Sequence, residues 1–261
     1  MRSRLALGAL SAAVALACAA SADTGVHGGY LHDDLGPRTL ELLPSAPEAG
    51  SARDAADREI FKQTRALNGT PRWSLATADV DASIPAMLRN YSCAVGVILD
   101  PKDAPALTRM LSRLGRDVAT AFQPAKDFYR RKRPFLVDAG NICVARTPDI
   151  TGSFDYPSGH ATWGWTTGLV IAQLAPDREG EVLRRAKAFG ESRVVCGVHN
   201  ASAVDAGRTG ASALVAALNA EPAFRSDLEA ARTEMVALRV SAAPRPQACE
   251  AEANLTAKTP W

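Results

Sequence analysis

Residues 104–131 read APALTRMLSRLGRDVATAFQPAKDFYRR. Leu107, Met110, Leu111, Leu114, Val118 and Phe122 recur there at steps of three and four, which puts them on one face of an α-helix. Pro124 is expected to kink this helix or to start another, because a proline ring cannot donate to the preceding turn. The same period returns on both sides. Upstream, residues 49–67 carry Ile60, Phe61 and Leu67 toward a core, and Asn68-Gly69-Thr70-Pro71 stops them. A second helical region runs from Trp73 to about Ile98, bent near Pro85. Downstream, His160 to Leu174 is apolar enough for a central helix. Asp177 to Gly190 turns Val182, Leu183, Ala186 and Phe189 inward, Ala201 to Asn219 is rich in small residues, and Glu221 to Val240 is a charged last helix. No repeat, alternating strand pattern or interdomain linker interrupts this. The expected fold is all-α, a single-domain helical bundle over residues 48–261, preceded by an extended arm at 23–47.

Composition narrows the function. A chain of 261 residues fits one domain with a substantial core. A net charge of +2 gives no reason to expect nucleic acid as a partner. Residues 1–22 read as a signal peptide: Arg2 and Arg4, a short apolar run from Leu5 to Ala17, then Ala20-Ser21-Ala22 as a small-residue cleavage site. No later stretch approaches the roughly 20 apolar residues of a membrane span. The mature chain is therefore expected to be periplasmic or secreted. Four cysteines follow the leader, Cys93, Cys143, Cys196 and Cys249, and in an exported chain they suggest disulfides in any of three connectivities. They form no CxxC pair, so no metal cluster is expected.

Three clusters between Lys126 and Asp205 carry the chemistry. Lys126 and Arg133 are seven residues apart, two turns if the helix continues, with Arg130 between them on the same face. Alone, Arg130-Arg131-Lys132-Arg133 reads as a solvated basic run. Pro157-Ser158-Gly159-His160 opens a helix, where a hydroxyl and free backbone N–H groups favour an anion; the bland alternative is a turn and N-cap. Ser192-Arg193 precedes His199 by six residues, and a single histidine among valines is more often a satisfied core residue than a catalyst. Taken together and in order, three cations, a helix N-terminus and two histidines suit a phosphoryl group, whose charge is spread over several oxygens.

The set Lys126-x6-Arg133-Pro134, Pro157-Ser158-Gly159-His160 and Ser192-Arg193-x5-His199 resembles the three-part signature of the type-2 phosphatidic acid phosphatase and vanadium haloperoxidase superfamily. With Gly152-Ser153, residues 156–162 and residues 192–199, it is most similar to the bacterial class A nonspecific acid phosphatases. The resemblance implies that His199 attacks phosphorus and becomes a phosphohistidine. His160 would protonate the leaving alcohol and then activate water, while Lys126, Arg133, Ser158, Gly159 and Arg193 bind the phosphoryl oxygens. It implies no cofactor and no metal, a small phosphomonoester as substrate, phosphate or vanadate as the anion in the site, and a homo-oligomer by family habit.

One position departs from the family. Its signature ends in an Asp four residues after the nucleophilic histidine, and here that residue is Ala203. Such an Asp accepts a hydrogen bond from the second imidazole nitrogen and so sets tautomer and orientation. Asp205 would point away from His199 on a helix and reads as a structural acid beside Arg208, leaving Glu191 and Asp155 as carboxylates able to substitute through space. The expectation is an exported acid phosphatase impaired at Ala203. The alternative from another class is a noncatalytic phosphate-binding protein that kept the anion cradle. A vanadium haloperoxidase ranks third, and a membrane lipid phosphatase is disfavoured for want of a spanning segment.

Overall fold

The computed structural model describes residues 28–31, 35–241 and 244–261; the expected leader lies outside the described residues. Among these the secondary structure is helical throughout. In order the α-helices are α1 (Leu35–Leu42), α2 (Ala52–Thr64), α3 (Pro71–Ala78), α4 (Ile84–Val95), α5 (Pro105–Tyr129), α6 (Pro148–Gly152), α7 (Gly159–Leu174), α8 (Glu179–Val195), α9 (Ala201–Ala220), α10 (Pro222–Val240) and α11 (Cys249–Thr256). The all-α expectation holds.

Prolines begin five of these helices. Pro71, Pro85, Pro105, Pro148 and Pro222 all sit in a first turn, where a missing N–H costs no intrahelical bond. Thus Pro85 does not bend one long helix. The chain breaks at residues 79–83, and Ser83 caps the new helix by accepting from the Ala86 N–H. Pro124, by contrast, lies inside α5, which runs through it to Tyr129. The arm is not extended throughout either: α1 forms within it and packs on α5 and α9, with Thr39 and Leu43 buried.

The core is organised around α7, which touches α4, α5, α8, α9 and α10. Its contact with α8 is close enough that a Cβ on Gly168 would lie 2.4 Å from that of Ala186, so only glycine allows this approach. Leu107, Met110, Leu111 and Leu114 of α5 face the same core with 0–1% exposure, as their spacing requires. Two disulfides fix the periphery, Cys93–Cys249 and Cys143–Cys196. The first holds α11 against the body, and the second ties the loop before α6 to the end of α8. No helix among the described residues is long and apolar enough to cross a membrane.

Candidate active site

The α5 helix ends at Tyr129 because Arg130 adopts a left-handed backbone, with φ 45°. Lys126 is therefore helical while Arg133 lies beyond the helix in extended backbone. The expectation that they share a helix face is corrected: a loop, not helical period, brings Arg133 to the site. Arg130 takes no part, lying over the Phe154 ring at 5.0 Å. Lys126 Nζ donates to the Phe154 carbonyl at 2.9 Å. Arg133 is clamped by Ser153, whose hydroxyl accepts from both Nε (3.2 Å) and Nη2 (2.9 Å). Its Nη1 donates to the Val198 carbonyl at 2.6 Å and lies 3.0 Å from His199 Nε2.

Arg193 arrives from the last turn of α8, almost wholly buried, with Nε and Nη1 unpaired among the described residues. Burial and the neighbouring Arg133 lower its pKa to about 9. Burial, then Arg133, lower that of Lys126 to about 8. Buried cations held this close to one another create a strong local demand for an anion.

Ser158 caps α7, its hydroxyl accepting from the Ala161 N–H at 3.3 Å, so the bland reading of the tetrapeptide is correct as far as it goes. The same helix start brings Gly159 to a groove that Lys126 also lines. Its approach to α9 depends on Gly207, where a Cβ would lie 2.7 Å from the Ser158 carbonyl. A Cβ on Gly159 would meet nothing within 4 Å. Gly159 and Lys126 line a groove of about 510 Å³ whose other walls include Leu111, Val118, Phe122 and Trp163. A second groove of about 500 Å³ passes the other side of Lys126, past Ser153, Asp127 and Asp149.

His160, in the first turn of α7, places Nε2 3.0 Å from the Val80 carbonyl. A carbonyl only accepts, so Nε2 carries the proton when this ring is neutral. Burial, and then Arg193, lower the His160 pKa to about 3. His199 follows the tight turn at Gly197, and burial with the surrounding cations holds its pKa well below the usual range. Its Nδ1 lies 2.7 Å from the Asp155 carbonyl and 3.1 Å from Asp155 Oδ1. Both are acceptors, so Nδ1 carries the hydrogen and Nε2 keeps its lone pair, facing the guanidinium of Arg133. That is the protonation a nucleophilic imidazole needs.

Lys126, Arg133, Ser158, Gly159, His160, Arg193 and His199 are thus held around the N-terminus of α7. Ala203 is fully buried, and it contributes its backbone carbonyl, accepting from the Ser158 N–H at 3.0 Å. Glu191 is committed to Lys187 and to Thr259, which rules it out as a partner for His199. Asp205 pairs with Arg208 on the surface, as expected. Two contributors carry no sequence signal of their own: Ser153 lies outside the three clusters, and Arg131 falls within the basic run Arg130-Arg131-Lys132-Arg133. Arg131 is nearly buried, and it reaches Asp57 (2.9 Å), Asp54 (3.0 Å) and Asp155 (3.4 Å). No local signal marked it, because Asp54 and Asp57 each have an arginine four residues away on α2, Arg58 and Arg53, and their choice of Arg131 is tertiary.

Comparison with known proteins gives the family of the chain. The PAP2 superfamily pattern matches residues 107–222, which include every cluster of the site. Over 214 residues the chain is 39% identical to an acid phosphatase of Zymomonas mobilis, covering 82% of this chain and 80% of that one. It is 34% identical over 212 residues to a non-specific acid phosphatase of Providencia stuartii (80% and 86%). It is 36% identical over 197 residues to one of Salmonella typhimurium (74% and 78%).

Proposed function

The chain belongs to the PAP2 superfamily and, within it, to the bacterial non-specific acid phosphatases; from that premise we propose that it is an exported hydrolase of small phosphomonoesters working through a phosphohistidine. The observation that carries the reading is the placement of the His199 ring, with Nδ1 against acceptors and the Nε2 lone pair turned to the Arg133 guanidinium on the anion side. Phosphate oxygens are taken by Lys126, Arg133, Arg193, the Ser158 hydroxyl and the α7 N-terminus, and Arg133 turns from Nε2 to the substrate as it binds. Nε2 then forms a bond to phosphorus while the P–O bond to the alcohol breaks, and His160 gives its proton to the departing oxygen. In the second half His160 takes a proton from water, the water oxygen displaces Nε2 from phosphorus, and inorganic phosphate leaves.

The pKa of about 3 makes His160 neutral in the free enzyme at mildly acidic pH. A bound phosphate group offsets the three cations and raises it, so the acid is loaded with substrate rather than before it. Turnover should therefore fall as pH rises, as the substrate complex loses that proton. Export is part of the same reading and rests on residues 1–22.

Rapid quench with labelled substrate tests the mechanism. An acid-labile, base-stable phosphoenzyme should accumulate in the parent and be absent from His199→Ala, whose turnover should drop by about 10⁵ or more. Unchanged hydrolysis by His199→Ala would sink the reading. Tight phosphate binding with no turnover in the parent would instead favour a binding protein, the reading that Ala203 motivates.

A further inference from the structure

We infer that the Asp155 carboxylate is the positioning group of His199, taking in this chain the role that Ala203 leaves vacant. The inference rests on the phosphatase reading. Its geometry is independent of it.

Three observations converge. First, Asp155 Oδ1 lies 3.1 Å from His199 Nδ1, on the side of the ring opposite the attacking nitrogen. Second, the carboxylate is itself immobilised. Oδ1 accepts from the Asn200 backbone N–H at 3.0 Å, Oδ2 accepts from Asn200 Nδ2 at 2.8 Å, and the Arg131 guanidinium stands 3.4 Å from Oδ2. The backbone is pinned as well, since the Asp155 N–H donates to the Arg131 carbonyl at 2.8 Å. Third, the Ala203 methyl lies in the apolar core, so residue 203 offers the imidazole no side-chain acceptor.

The Asp155 residue thus presents two acceptors to one N–H. The main-chain carbonyl, at 2.7 Å, suffices to set the tautomer. Burial raises the pKa of this carboxyl, and the Asn200 and Arg131 donors oppose that shift by favouring the ionised form, so the carboxylate adds what a neutral carbonyl cannot, a negative charge held by its own partners. When Nε2 bonds to phosphorus the ring becomes cationic, with its Nδ1 proton retained, and the carboxylate balances that charge. The acceptor reaches the ring from the loop before α7 instead of from α9.

Vanadate and phosphate separate this role from a merely structural one. Vanadate accepts a fifth ligand and can bond the His199 lone pair, whereas phosphate reads only the cations. Calorimetric affinities of both anions for the parent and for Asp155→Asn should show vanadate weakened by about tenfold to a hundredfold, with phosphate changed by less than about threefold. Equal weakening of the two, or none, overturns the inference. Should Asp155→Asn fail to fold, Ala203→Asp decides through hydrolysis rates. A gain below about tenfold means the orienting position is already filled, while a larger gain means it is not. A parent that hydrolyses no phosphomonoester would end the phosphatase reading, yet the vanadate-to-phosphate comparison would still report on Asp155.

Discussion

The two sides of the His199 ring are built from opposite chemistry. In front stand donors only: Arg133 at 3.0 Å from Nε2, with Lys126, Arg193 and the α7 N-terminus around it. Behind stand acceptors: the carbonyl and carboxylate of Asp155, backed by Arg131, Asp54 and Asp57. The front leaves charge unmatched, since Arg193 is buried with two nitrogens unpaired among the described residues. The back satisfies its carboxylates within the protein, through Arg131, Ser202 and Asn200. A surface built for a visiting anion must be incomplete on its own, while one that orients a side chain must be complete beforehand. The front is thus expected to trade stability for function, and the back to supply both.

Arg193→Met should break the contrast most visibly. Losing one cation that stabilises the transition state should lower kcat/KM by about 10²- to 10³-fold. The same change removes an unmatched buried charge, so in anion-free buffer the thermal midpoint should rise by about 2–4 °C for each kcal/mol relieved. A calorimetric scan beside the kinetics checks both, and a falling midpoint would contradict the assignment of Arg193 to the open side. Arg131→Met should do the reverse. It strands Asp57 and Asp155 in the interior and should cost about 3–5 kcal/mol of stability, measured by denaturant melts. The rate of the folded fraction should change by less than about tenfold, because Asp155 keeps its bonds to Asn200.

A change of pH sharpens the same comparison without any substitution. Both histidines are held below the ordinary value of about 6.5 in the folded state. The unfolded chain therefore binds more protons once pH falls below that value. The stability these two rings contribute should be complete above about pH 6.5 and should decline toward the folded pKa, about 3 for His160, by up to about 1.4 kcal/mol per pH unit for each ring. Saturating phosphate should flatten this slope by loading the front with the missing charge, and denaturant melts at stepped pH with and without phosphate would show it.

How much of this was legible depends on the range of the interaction. Helix period is local, and α5 could be read from Leu107, Met110, Leu111, Leu114 and Val118 alone. The α1 helix escaped because Gly36 and Pro37 look like breakers, although a proline is tolerated in a first turn. Lys126, Arg133, Ser158, His160, Arg193 and His199 were legible because residue type and spacing declare an anion site. That Lys126 and Arg133 would share a helix face was wrong, since the left-handed turn at Arg130 has no glycine to announce it.

The sequence by itself determined an all-helical bundle and the inventory of an oxyanion site, because periodicity and charge are properties of neighbouring residues. Resemblance to the family signature, not the residues alone, exposed the missing carboxylate at Ala203. Only the tertiary structure decided between Glu191 and Asp155 as its replacement. The two residues are equally plausible as text, and Asp155 is 44 residues before His199 in the chain. Their difference is three-dimensional: the end of α8 turns Glu191 toward Lys187 and Thr259, while the loop before α7 carries Asp155 under the imidazole. A hydrogen bond is decided within a few tenths of an ångström, and only packing sets such a distance.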